Sequence, residues 1–248
     1  MYTPQQNGRE KSVRSVYYVE EAPPSDLSPL VYCFWELKTE GLLPQDFRYH
    51  VVPDACIDIV FNLSEPKRAT IMTPHTVSEV LCLGRAFHYV GIRLFPGVWR
   101  GELDTVVGGF IDTPKIGSVS VASECKKLIF TKKDFSSQQV ILVKIVRQLA
   151  HEKFVVANAA MVKILNNAHT LRTVADMSAL VNMSPRQLQR TLKQVTGFSP
   201  HDFLKVLRFQ QSFGRHYLAF YADQSHFIHS FRKITGYTPG EYAQKFDV

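Results

Sequence analysis

Two stretches of the chain carry side chains suited to contacting nucleic acid, and they are copies of one another. Ser184–Pro200 (SPRQLQRTLKQVTGFSP) aligns without a gap on Asp223–Pro239 (DQSHFIHSFRKITGYTP). Thr196/Thr235, Gly197/Gly236 and Pro200/Pro239 are identical, and Leu188/Phe227, Leu192/Phe231 and Val195/Ile234 match in kind. The other face of each copy carries Arg186, Gln187, Arg190 and Lys193, or Ser225, His226, His229, Arg232 and Lys233. Arg, Gln, Ser and His with few acids among them are the types that meet bases and phosphates. A repeat of this length points to a duplicated structural unit.

Other reactive types are scattered. His50, His75 and His88 stand alone, and the pair His226/His229 lacks a third ligand, so neither a metal nor another cofactor is expected. Asp223, Ser225 and His226 are too close along one helix to face each other as a hydrolytic triad. Trp35, Tyr49, Asp58 and Arg93, with Asp54 beside them, are candidates for a small-molecule pocket, because such residues on barrel strands can line an interior site. The plainer expectation is that Asp54 shapes a turn, Asp58 faces solvent and Trp35 fills the core. Cys33, Cys56, Cys82 and Cys125 form no C-x-x-C pair and read as buried free thiols in a reducing compartment. The N-terminal MYTPQQNGREKS has no apolar core, and no apolar run approaches the roughly 18 residues of a membrane span. A cytoplasmic protein without a membrane partner is expected.

The elements that must position these groups fall into two classes. Apolar, β-branched runs at 30–37, 50–52, 57–63, 70–73, 80–83 and 88–95 alternate with Pro, Gly, Asn and Asp, which predicts short antiparallel strands. Ile57, Ile59 and Phe61 alternate with Asp58, Val60 and Asn62, as one buried face requires. After Pro96 the spacing turns helical: 98–103 and 118–130 as short helices, then 137–151 and 157–166. The fold class expected is α+β. Residues 1–150 would form a β-barrel or cupin-like sensor domain with trailing helices, and 151–248 an all-α domain. Charge follows the same division: the chain is +7 overall, with 12 bases against 6 acids after Ala150 and 17 against 16 before it. A near-neutral half joined to a basic half suits a polyanion-binding module on a partner domain.

Each repeated unit has the marks of a helix. Ser184 and Asp223 are N-cap types, Pro185 suits the first turn, and Gly197 and Gly236 suit a left-handed C-cap. Upstream, 172–181 (RTVADMSALV) is an amphipathic helix joined by Asn182-Met183, so helix, short turn and helix make a helix-turn-helix. At TVADMSALVNMSPRQLQRTLKQVTGFSPHDFLKVLRF and YADQSHFIHSFRKITGYTPGEY the chain resembles the AraC/XylS family of bacterial transcriptional regulators. VPDACIDIVFNL and HYVGIRLFPGVW look like an uncharacterised N-terminal domain found on some of those regulators.

The resemblance implies two helix-turn-helix motifs joined by a helix over 201–209, with 185–196 and 224–235 as recognition helices in successive major grooves. It implies base contacts from Arg186, Gln187, Arg190, Ser225, His226 and His229, and phosphate contacts from Lys193, Arg232 and Lys233. The partners implied are double-stranded DNA, a small-molecule effector and RNA polymerase, for a monomer or homodimer that is not an enzyme. A metabolite-transforming barrel enzyme fused to a DNA-binding module is the alternative. Ser178 stands where the family usually has Ala, and Asn182 where it usually has Gly. Only 22 residues separate Pro200 from Asp223, fewer than the family pattern, which leaves the second scaffold helix, expected near 215–220, about two turns at most.

Overall fold

The computed structural model describes residues 2–6, 8–101, 109–131, 134–214 and 220–247. Its strands β1 (Val16–Glu21), β2 (Val31–Thr39), β4 (Ile57–Asn62), β5 (Ala69–Met72), β7 (His88–Leu94) and β8 (Phe110–Thr113) form one antiparallel sheet, ordered β1-β2-β7-β4-β5-β8. β3 (Phe47–Val51) pairs with β6 (Glu79–Gly84) as a separate ribbon, and β9 (Lys115–Ile116) with β10 (Val119–Ser120) as another. The strand-rich front expected from the sequence is present, but these strands do not close into a barrel. The ribbon shares no backbone pairing with the large sheet and faces it across a gap.

Strand alternation decides what fills each side of the sheet. Phe34, Ile57, Ile59, Phe61, Val90, Ile92 and Leu94 pack in one core with α1 (Val121–Phe130) and α2 (Phe135–His151). The opposite face, with Trp35, Leu37 and Val60, meets Tyr49 and Val51 from the ribbon. β1 and β8 lie at the two edges of the sheet and keep exposed residues. The short helix expected at 98–103 is not formed over the described residues 98–101. Backbone bonds there cross to another segment, Arg100 N–H to Phe154 O at 2.8 Å and Val156 N–H to Val98 O at 2.8 Å. Cys33, Cys56 and Cys125 are buried free thiols, whereas Cys82 departs from expectation and is exposed on β6, whose only paired neighbour is β3.

The helical half follows its capping residues. α3 covers Ala159–Asn166 behind the Asn158 cap. α4 begins at Val174 rather than Arg172, because Thr173 and Asp176 form a reciprocal capping box. Asn182 ends α4 with φ 55°, taking the left-handed position that Gly usually fills. α5 (Pro185–Thr196) and α7 (Gln224–Thr235) span the two repeats as expected, with Gly197 and Gly236 left-handed at φ 76° and 81°. α6 (Pro200–Gln211) connects them, and α8 (Pro239–Lys245) closes the chain. The second scaffold helix expected near 215–220 lies, apart from Phe220, outside the described residues. Among the described residues no helix is long and apolar enough to cross a membrane.

Two cores tie these helices to the front of the molecule. Met161, Met177, Leu188, Leu192, Val195 and Phe203 belong to the same cluster as the sheet and α2. Phe209, Phe227, Phe231, Ile234, Tyr242 and Phe246 form another, which takes in Val52 from the end of β3.

Candidate nucleic-acid interface and ligand cavity

On α5, Arg186, Arg190 and Lys193 recur at helical spacing and form one exposed stripe. Ser225, His229 and Arg232 occupy the equivalent stripe of α7, with His226 and Lys233 beside it. All nine candidate contacts are exposed, while Leu188, Leu192 and Val195, or Phe227, Phe231 and Ile234, are buried behind them. Three of the nine are partly committed to the fold. The Gln187 side-chain carbonyl accepts from Ser184 N–H at 2.9 Å, which leaves its amide nitrogen for another partner. Lys193 Nζ donates to Gly197 O at 2.8 Å, capping its own helix, and His226 Nδ1 accepts from Ala222 N–H at 3.4 Å. Arg186 and Arg190 have no hydrogen-bond or ion-pair partner among the described residues. Ile228, also exposed on α7, adds an apolar group at the edge of the stripe.

Between α4, α6 and α7 runs a groove of about 570 Å³ that motif spacing does not reveal. Arg172, His201, Lys205, Arg208, His229 and Lys233 line it, and no lining residue is a carboxylate. Arg172 lies over the Phe220 ring at 4.0 Å, and Arg208 donates to Arg172 O, so these two are held in place. The groove opens beside α7 and gathers positive charge there.

The front half holds a cavity of about 360 Å³ between the large sheet and the β3–β6 ribbon. Of the candidate pocket residues, Trp35, Tyr49 and Arg93 line it, together with Tyr18, Tyr89 and Asp112. Asp58 does not face solvent; it is 1% exposed and lies beneath the lining. Asp58 and Arg93 are direct partners across β4 and β7, with Nε 3.2 and 3.3 Å from the two carboxylate oxygens. Asp58 also accepts from Trp35 Nε1–H at 2.6 Å, and Arg93 Nη1 reaches Glu20 at 3.1 Å. Asp54 makes its expected turn by accepting Cys56 N–H at 2.9 Å. Its other oxygen is buried 3.5 Å from Arg93 Nε without a hydrogen bond. Burial pushes the Asp54 carboxyl up to about 7 against the opposing pull of Arg93, and raises Asp58 for the same reason.

Trp35 can lie on the sheet because its cross-strand partner is Gly91. A Cβ there would stand 2.2 Å from the indole. Gly91→Ala should therefore lift the indole off the sheet, cost about 1–3 kcal/mol as overpacked cores do, and shift the tryptophan emission. An unchanged emission and unfolding midpoint would show that the ring is not held this way.

Strand β3 faces two ways. Tyr49 and Val51 line the cavity, while His50 and Val52 meet the second repeat. His50 Nε2 sits 3.2 Å from Thr235 O and so carries the proton, leaving Nδ1 to accept from Tyr242 O–H at 3.1 Å. Phe246 stacks on the ring at 4.8 Å. Gln6 brackets the strand, donating to Val52 O and accepting Val52 N–H, and its carbonyl takes the Tyr49 O–H. Gln210 of α6 completes the seam with bonds to Gln5 and Pro53 O.

Two segments of the chain match known family models. Residues 164–205 match the bacterial regulatory helix-turn-helix proteins of the AraC family, and residues 19–113 match a domain of unknown function, DUF6597. The protein thus carries an AraC-type helix-turn-helix in its C-terminal half, built by α4 and α5, and the second repeat lies beyond the matched segment. No curated protein matches. Among solved structures it is similar to ToxT from Vibrio cholerae, at 11% identity over 92% of this chain and 96% of that one, with a TM-score of 0.44. ToxT from Vibrio cholerae O395 gives 12%, 97%, 96% and 0.45. Wild-type ToxT from strain SCE256, with unsaturated fatty acid bound, gives 11%, 94%, 95% and 0.39.

Proposed function

We propose that the protein is a sequence-specific DNA-binding transcriptional regulator that reads two stretches of major groove with α5 and α7, under control of a small molecule held in the front cavity. The reading rests on the repeated exposed face of the two helices, the second of which borders a groove without carboxylates. Arg186, Arg190, Ser225 and His229, with the Gln187 amide and His226, meet base edges, and Ile228 is placed for a thymine methyl. Arg232, Lys233, Lys193 and the groove residues Lys205 and Arg208 follow the phosphates. RNA polymerase is the protein partner such a regulator engages, and the chain acts by binding rather than by turnover.

Selection of bound fragments from a genomic library, followed by affinity measurement on a recovered site, tests this. Arg190→Ala should cost about 1–3 kcal/mol and relax the preference at one base position. Lys205→Ala should weaken all sequences alike and reduce the salt slope by about one. Recovery of no fragment at low salt would end the proposal.

A further inference from the structure

We propose that the front cavity takes a small organic cation, an amine on an aromatic or aliphatic body, and discriminates against carboxylates. The inference rests on the reading of that cavity as a ligand site and adds the charge of its occupant. A guanidinium on the lining, as Arg93 is, ordinarily invites an anion. Here it is already surrounded: Asp58, Asp54 and Glu20 all lie within 3.5 Å of it. One positive charge against three carboxyl groups leaves nothing to neutralise an incoming carboxylate, and Arg93 is itself 2% exposed.

The remaining charged lining residue is acidic. Asp112 sits on β8 opposite Thr70, whose hydroxyl donates to Oδ1 at 2.6 Å. Its other oxygen has no hydrogen-bond partner among the described residues. Phe110 and Met72 pair two residues further along the same two strands, on the same face, and continue the wall beside it. The walls deeper in are Tyr18, Trp35 and Tyr49, with Tyr18 6.4 Å from Trp35 and 6.5 Å from Tyr49. Their polar ends are occupied internally: Trp35 bonds Asp58, Tyr49 bonds Gln6, and Tyr18 bonds Glu20. What they offer a ligand is ring surface, which attracts a cation and accepts an apolar body. The volume, about 360 Å³, suits a small organic molecule rather than a bare ion.

The full-length protein is titrated with pairs of equal body and opposite charge: tryptamine against indole-3-propionate, and decylamine against decanoate. Thermal shift and tryptophan fluorescence report occupancy, with neutral tryptophol as reference. The amine of at least one pair should bind ten-fold or more tightly than its carboxylate. Asp112→Asn, an exposed change, should weaken the bound amine several-fold and leave tryptophol unchanged. A carboxylate that binds as tightly as its amine overturns the charge class while leaving the cavity a ligand site. Absence of binding by every compound at millimolar concentration overturns both. Amine binding that Asp112→Asn does not change overturns the placement at β8. DNA affinity is measured separately, so none of these results bears on the recognition helices.

Discussion

Replacing Arg93 by Met should lower the unfolding free energy by about 3–5 kcal/mol at neutral pH, the cost of leaving buried carboxylates without their counter-charge. Asp58 is 1% exposed and Asp54 5%, so neither can turn to water when the guanidinium is removed. The loss should shrink as the pH falls. Burial already holds the Asp54 carboxyl near 7 and raises Asp58 with Arg93 present, and removing that cation lifts both further. A carboxyl raised on folding contributes stability that is full below its unfolded value, about 3.9, and lost as the pH rises through its folded value. Urea unfolding at neutral pH and near pH 5 should therefore show a wide gap between variant and parent that narrows in acid. Adding Asp54→Asn to Arg93→Met should recover part of the loss at neutral pH, since one of the orphaned charges is gone. Equal stability of Arg93→Met and the parent at neutral pH would mean that the cluster does not hold the sheet together.

The second large effect runs in the opposite direction with pH and concerns the seam between β3 and the second repeat. Burial lowers His50 from its ordinary 6.5 to about 4, with the nearby Lys245 charge acting in the same sense and the Thr235 carbonyl opposing it. A base depressed on folding contributes stability that is full above 6.5 and is lost as the pH falls toward 4. The shift corresponds to roughly 3–3.5 kcal/mol as an upper bound. Acid should loosen α7 and α8 from β3, seen as faster amide exchange in those helices between about pH 6 and 4.5. His50→Gln can still donate to Thr235 O and accept from Tyr242 while carrying no charge, so it should flatten that dependence. Because Asp54 gives a slope of the other sign over part of the range, the difference between the His50→Gln variant and its parent is the quantity to measure. A difference that does not vary with pH would remove His50 as the titrating group.

The helices are legible in the sequence and the ion cluster beneath the cavity is not, for separate physical reasons. α5 and α7 announce themselves locally: an N-cap residue, an apolar face at helical spacing, and a glycine that accepts a left-handed end all lie within one short segment. The starts of α2 and α4 lie two residues from where apolar spacing puts them, because Asp134 and Thr173 cap them. In the front half the informative neighbours are remote in sequence. Asp58 faces Arg93, and Trp35 faces Gly91, only because β4, β7 and β2 pair in one register. No local pattern encodes that register, so Asp58 read as a solvent-facing residue of an alternating strand. The polar alternation was real; what it met was a second sheet with an ion cluster between. The basic groove is hidden for a similar reason, since Arg172 before α4, Lys205 on α6 and Lys233 on α7 meet only in the folded chain.

Strand β3 carries one further consequence. The first repeat is fixed to the front of the molecule through the large core, where Gly97 packs against Met161 and Val195. The second is fixed through His50, Val52 and the Gln210 seam. With both repeats anchored to the same front half, the separation of α5 and α7 is set by that frame as well as by α6, which joins them. On the proposed reading of both helices, the spacing a bound DNA must present belongs to the whole chain and not to the helical half alone.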